Sequence, residues 1–199
     1  MARSEVTTRP AVAGNASQAA RRQRIVDAAL ELLQDRPYDQ IQIRDVAERA
    51  GVALGTLYRY FPSKEQLFAH VLVEWSRRFE PGRRRGPAPE TDADRLVAVL
   101  RAAARAFERH PNFFQLIALL EVISDPDVAE PFHEYSGAFS TALSDALHDV
   151  DPSDVVVIST MSSALIGTLL RSWWLGRISM RSVYDQLDRS VALMFHGVG

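Results

Sequence analysis

Apolar residues recur at helical spacing along almost the whole chain. Ile25, Ala28, Ala29, Leu32 and Leu33 form one stripe, Ile43, Val46, Ala47 and Ala50 a second, and Leu67, Phe68, Val71, Leu72, Trp75 and Phe79 a third. Tyr184, Leu187, Val191 and Met194 form the last. Steps of three and four residues put each set on one face of a helix. No alternating strand pattern runs beyond a few residues, and no internal repeat is present. The expected fold class is all-α, with about nine helices.

Turn and cap residues punctuate these stripes. Asp35-Arg36-Pro37 ends the first helix, and Gly51 stands where the chain leaving the second needs a positive φ. Ser63 and Gln66 form an S-x-x-Q capping box. Thr91 and Ser179 are caps, and His110-Pro111, Asp125-Pro126 and Asp151-Pro152 each open a helix. Pro131 is expected to shorten or kink its helix. Residues 1–16 are polar, small and aperiodic and are expected to form a disordered arm. A head over 17–62, a connecting helix over 63–80, a linker over 81–90 and a helical body over 91–199 follow. The linker is set by Pro81-Gly82-Arg83-Arg84-Arg85-Gly86-Pro87-Ala88-Pro89.

One stretch is apolar nearly all round. Between Asp154 and Arg177 the sole charge is Arg171. Six Ser and Thr hydroxyls interrupt it and no second such stretch exists, so a doubly buried helix is expected rather than a membrane span. Ser159, Ser163 and Gly167 lie four apart, a spacing that lets helices approach closely. With Leu187, Val191 and Met194 of the last helix they are the expected dimer interface, a two-fold four-helix bundle.

The segment Ile43–Lys64, IRDVAERAGVALGTLYRYFPSK, carries the chemistry. A helix, a turn at Gly51 and a second short helix from near Ala53 make a helix-turn-helix, whose second helix enters the major groove. Between Gly51 and Pro62 the outward positions offer hydroxyls and Arg59 but no acid, a donor set suited to phosphate oxygens. Lys64 opposes the dipole of its own helix, and a phosphate supplies a reason for it.

Charge divides the same way. The net charge of the chain is −2. Residues 1–85 carry +5 and residues 86–199 carry −7, a split that fits DNA binding confined to one end. With no Cys, thiolate catalysis, disulfides and Cys-based zinc sites are excluded. The five His are scattered, and no H-E-x-x-H, G-x-S-x-G, P-loop or dinucleotide motif appears, so neither an enzyme, a metal nor a cofactor is expected. No signal-peptide core begins the sequence, and a cytoplasmic location is expected.

IRDVAERAGVALGTLYRYFPSKEQLF, with the lead-in RRQRIVDAALELLQDRPYDQIQ, resembles the N-terminal signature of the TetR family of bacterial transcription regulators over residues 21–72. Within that family, VxxGTLYRYFPSK and the closing helix are similar to actinobacterial regulators of steroid and lipid catabolism. The resemblance implies DNA contacts from Arg44, Thr56, Tyr58, Tyr60 and Lys64, with Gly51, Val52 and Leu57 structural; Ala53, Leu54 and Arg59 are expected DNA contacts of the same short helix. Gln42, Ala53 and Leu54 depart from the family pattern, and an apolar Leu54 would meet a thymine methyl rather than make a hydrogen bond.

The resemblance also implies an effector pocket in the body, a homodimer, and a palindromic double-stranded DNA operator. Candidate pocket walls are Phe107, Phe113, Phe114, Ile117, Leu120, Phe139, Met161 and Trp174. Arg171 has two readings: an ion pair with an acid such as Glu121, or an anionic ligand. The implied effector is small and hydrophobic, acidic or CoA-linked. The expected function is a ligand-released repressor; an activator stays open, and a helical enzyme or a DNA-binding protein without a ligand are the remaining alternatives.

Overall fold

The computed structural model describes residues 11–78 and 90–196. Within them lie nine α-helices and one short 3-10 turn, Tyr38–Gln40. The helices are α1 (Ala11–Asp35), α2 (Ile43–Arg49), α3 (Leu54–Tyr60), α4 (Lys64–Arg78), α5 (Asp92–Arg109), α6 (Pro111–Leu120), α7 (Pro126–Ser144), α8 (Pro152–Trp174) and α9 (Met180–Phe195).

The expected punctuation recurs with two differences of substance. Thr91, Asp125, Asp151 and Ser179 each accept a backbone N–H in the first turn they cap. Gly51 and Gly176 take φ values of 65° and 69°. α1 begins at Ala11, inside the span expected to be an arm over 1–16. AVAGNASQAA holds five alanines, the best helix formers, so this stretch extends the helix. Residues 1–10 lie outside the described residues, as does nearly all of the expected linker. The second difference is Pro131, which sits inside α7 without ending it.

The head is built on α1, α2 and α3 around Ile25, Ala29, Leu33, Val46, Ala47, Leu57 and Phe61, all buried. Each such Leu, Ile or Phe contributes roughly 1.5–3 kcal/mol by leaving water. α4 joins this core through Leu67, Phe68 and Leu72 and then runs on into the body. There α7 lies along it, and Trp75 stacks on Phe113 of α6 at 4.5 Å between ring centres. Asn112 at the start of α6 donates to the Leu33 carbonyl at 3.0 Å, tying the body to the end of α1.

α5 is pinned at its first turn. The buried Asp92 carboxylate accepts the Arg95 guanidinium and the backbone N–H groups of His148 and Asp149, the last two at 3.1 and 2.8 Å. Farther along, Arg101 forks onto Asp188 of α9 through two bonds of 2.8 Å. α8 is long and apolar enough to cross a membrane by length and composition, and only 33% of its most apolar window is buried within the protomer.

Candidate DNA interface and internal cavity

α2 and α3 present the basic, hydroxyl-bearing surface of the head. Gly51 makes the turn between them, and the Val52 N–H closes on the Ala47 carbonyl at 3.0 Å. Ala53, Leu54, Tyr58 and Arg59 are exposed, while Thr56 and Tyr60 are half-buried. Tyr58 and Arg59 make no side-chain hydrogen bond or ion pair among the described residues. Gln42 is the N-cap residue of α2 and forms a capping box with Asp45, and its side-chain oxygen also accepts Arg44 at 3.1 Å. Other arginines of the head are engaged: Arg36 pairs with Asp45 at 3.2 Å and Arg49 with Glu31 at 3.4 Å.

Lys64 has an internal partner that its position in the sequence did not reveal. Its ammonium donates to the Tyr38 carbonyl at 2.6 Å and lies 3.9 Å from the Tyr38 ring centre. Burial holds its pKa below the usual lysine value. Tyr38 in turn donates to Glu65 at 2.9 Å and packs edge-on against Phe68. Lys64 therefore locks the 3-10 turn to α4, and it keeps two further N–H donors.

The expected capping box at Ser63 is only half formed. Ser63 Oγ accepts the Gln66 N–H at 3.1 Å, but the Gln66 side chain turns away and donates to Asp127 on α7 at 3.3 Å. One helical turn on, His70 sits against Phe61 at 5.6 Å. Burial and then the nearby Arg22 push its pKa down to about 4, with Arg77 adding to this and Glu134 opposing it.

The body holds a half-open cavity of about 750 Å³ between the end of α4 and helices α5 to α8. Small residues make the space: Ala98, Ala102 and Ala106 on α5, Ala138 and Ala142 on α7, and Gly167 on α8. Trp75, Phe107, Phe114, Ile117, Phe132 and Phe139 supply the bulky walls. Tyr135 lines it as well, its phenol pKa raised by burial.

The sequence-predicted pocket residues divide. Phe107, Phe114, Ile117 and Phe139 line the cavity. Phe113 and Leu120 point into the solid core instead, Phe113 beneath Trp75. Trp174 is 44% exposed beside Phe114, and Met161 is exposed on the far side of α8. Arg171 corrects the expectation of a buried charge. Its side chain is 61% exposed and stands 3.9 Å from Glu121, because it belongs to the outward face of α8.

The expected interface residues also need correction. Ser163 and Gly167 line the cavity, and Ser159 is buried beside Ser144 at 3.4 Å, so this small-residue stripe faces inward. Leu187 and Val191 are fully buried within the protomer, where α9 packs on α5. Only Met194 of the six borders an outer groove, which Met161, Ala164, Leu165, Thr168, Ser190 and Leu193 complete. Leu193 is 67% and Val157 is 53% exposed on this side.

Known proteins match both halves. Residues 25–71 match the family model described as bacterial regulatory proteins, tetR family, and residues 90–194 match the tetracyclin repressor-like C-terminal domain. The chain is 31% identical over 180 residues to the HTH-type transcriptional repressor KstR of Rhodococcus jostii, covering 89% of this chain and 84% of that protein. A TetR transcriptional regulator from Rhodococcus sp. RHA1 superposes with a TM-score of 0.71 at 32% identity, over 89% of this chain and 96% of that one. The fold recurs in FadR from Bacillus subtilis, solved in complex with stearoyl-CoA, with a TM-score of 0.62 at 20% identity over 85% and 96% of the two chains.

Proposed function

The chain belongs to the TetR family of bacterial transcription regulators, and from that membership we propose a repressor whose hold on its operator is released by a small hydrophobic effector. That it is a DNA-binding regulator and not an enzyme follows from the family itself. The repressor sense is carried over from the KstR relative.

The observation that carries the effector reading is the position of the cavity. Trp75 and Ser76 of α4 form part of its wall, and the first turn of the same helix holds the head through Lys64 and Tyr38. α7 supplies another wall and reaches Gln66 through Asp127. An apolar molecule that fits one placing of α4 better than another shifts the population between them. The heads then leave the spacing of about one helical turn that two half-sites require. DNA and effector oppose each other by equal free energies.

A homodimer is part of the proposal, on a different face from the one read in the sequence. The groove of Met161, Leu165, Leu193 and Met194 is an apolar surface that α8 and α9 leave uncovered, and Val157 of α8 is exposed as well. A two-fold pairing there would give the four-helix arrangement and place two heads on one operator.

The test is selection of bound fragments from the source genome with the purified protein at about physiological salt, where nonspecific phosphate binding is weak. Fragments sharing an inverted repeat are the expected result. Release of those fragments by an apolar acid or ester, and not by a sugar or a cationic dye, completes it. Fragments without a repeat, or indifference to every apolar compound, would sink the dimeric-operator and effector readings respectively.

A further inference from the structure

We propose that Arg105 reads an anionic group, a carboxylate or a phosphate, on the molecule that occupies the cavity; the proposal rests on the effector reading above. The cavity follows α5 from Arg95 to Phe107, a length of roughly 18 Å at the rise of an α-helix. Four charged side chains line it: Arg95, Arg105, Glu121 and Asp145.

Two of these are balanced by neighbours. Arg95 is bound to the Asp92 carboxylate and to the carbonyls of Ala146 and Glu90 at 3.1 and 3.3 Å, with Asp149 also at 3.3 Å. Glu121 stands opposite Arg171. Asp145 precedes Ala146, whose carbonyl Arg95 holds.

Arg105 is different. Its side chain makes no hydrogen bond or ion pair among the described residues. Among neighbouring acids, Glu108 accepts the Tyr184 hydroxyl at 2.6 Å, and Asp188 on α9 is forked by Arg101. A planar fork of five N–H donors is thus left uncommitted at the edge of an apolar space. Carboxylate and phosphate match that fork in two-point geometry. Ten residues, roughly 15 Å along α5, separate Arg105 from Arg95 and its neighbour Asp145, so an anion docked on Arg105 stands clear of that acid.

The test uses the full-length protein and four probes of one chain length: decanoate, decyl phosphate, 1-decanol and decylamine, with binding followed by calorimetry. At least one of the two anions is expected to bind about tenfold tighter than 1-decanol. Arg105→Gln should erase that margin while leaving 1-decanol unchanged, and Arg105→Lys should keep part of it. Which anion is preferred identifies the group the fork fits. Equal binding of anions and alcohol, tighter binding of decylamine, or a margin that survives Arg105→Gln would overturn the assignment to Arg105. Failure of all four probes to bind would instead remove the effector reading, and this proposal with it. Because Arg105 is exposed and has no internal partner, neither variant should alter the thermal unfolding of the protein.

Discussion

Gln66 in the first turn of α4 donates to Asp127 in the first turn of α7 at 3.3 Å, and Gln66 is only 9% exposed. This bond fastens a wall of the cavity to the helix that carries the head. Gln66→Leu removes the donor at similar volume. The expected loss is about 1 kcal/mol, the usual net worth of such a bond. Urea unfolding measures it, and an unchanged midpoint would show that the contact is idle.

The head separates groups free to meet DNA from groups already engaged. Arg59→Ala and Tyr58→Ala should weaken operator binding without changing thermal stability, since neither side chain has an internal partner among the described residues. For Arg59→Ala, the dependence of log K on log salt should become shallower by about one. Lys64→Met should lower both DNA affinity and stability, because it loses the Tyr38 carbonyl as well. A salt slope indifferent to Arg59 would remove it from the phosphate contacts.

Half-buried His70 imposes a pH dependence on stability. In the folded protein its pKa is pushed down to about 4 from the usual 6.5, so the folded state resists the proton that the unfolded chain accepts. The stabilisation is complete above pH ~6.5 and is lost as pH falls toward ~4. His70→Leu should flatten that part of the curve. Urea midpoints between pH 7 and 4 test it; an equal slope in the variant would assign the loss to other groups.

The cavity leaves room at Gly167. A β-carbon built there meets nothing within 4 Å. Gly167→Ala should therefore stabilise α8 by about 0.5–1 kcal/mol through helix propensity alone. Gly167→Phe should instead fill the space, leaving operator binding intact and abolishing release by effector. Destabilisation by the alanine would mean that the wall is tighter than described.

Met161→Lys combined with Leu193→Glu places charges on the proposed pairing face while leaving the protomer core untouched. The variant should sediment at half the mass of the native protein and lose cooperative operator binding. Sedimentation equilibrium decides it, and a native mass would move the interface elsewhere.

Helix stripes, caps and the motif from Ile43 to Lys64 were legible because each follows from local spacing or from one residue's chemistry. Facing was not. The spacing of Ser159, Ser163 and Gly167 assigns them one side of α8, but whether that side looks inward or outward depends on where α5 and α7 pack. For the same reason Arg171, charged and alone in an apolar run, read as buried when it lies on the outer surface. The cavity itself left little trace, since Ala98, Ala102 and Ala106 create it by being small. Arg105 carried no signal at all: only the engagement of Arg95 and Arg101 with acids distant in sequence sets it apart.

α8 shows Ser163 and Gly167 to the cavity and Met161 and Leu165 to the outer groove. A single helix, about 10 Å across, is thus the whole thickness between one protomer's effector and the other protomer in the proposed pair. Such a partition has no slack with which to absorb a bulky guest in private. Occupation of one chamber should change the shape of the second before anything enters it, so the two sites should fill with a Hill coefficient different from one.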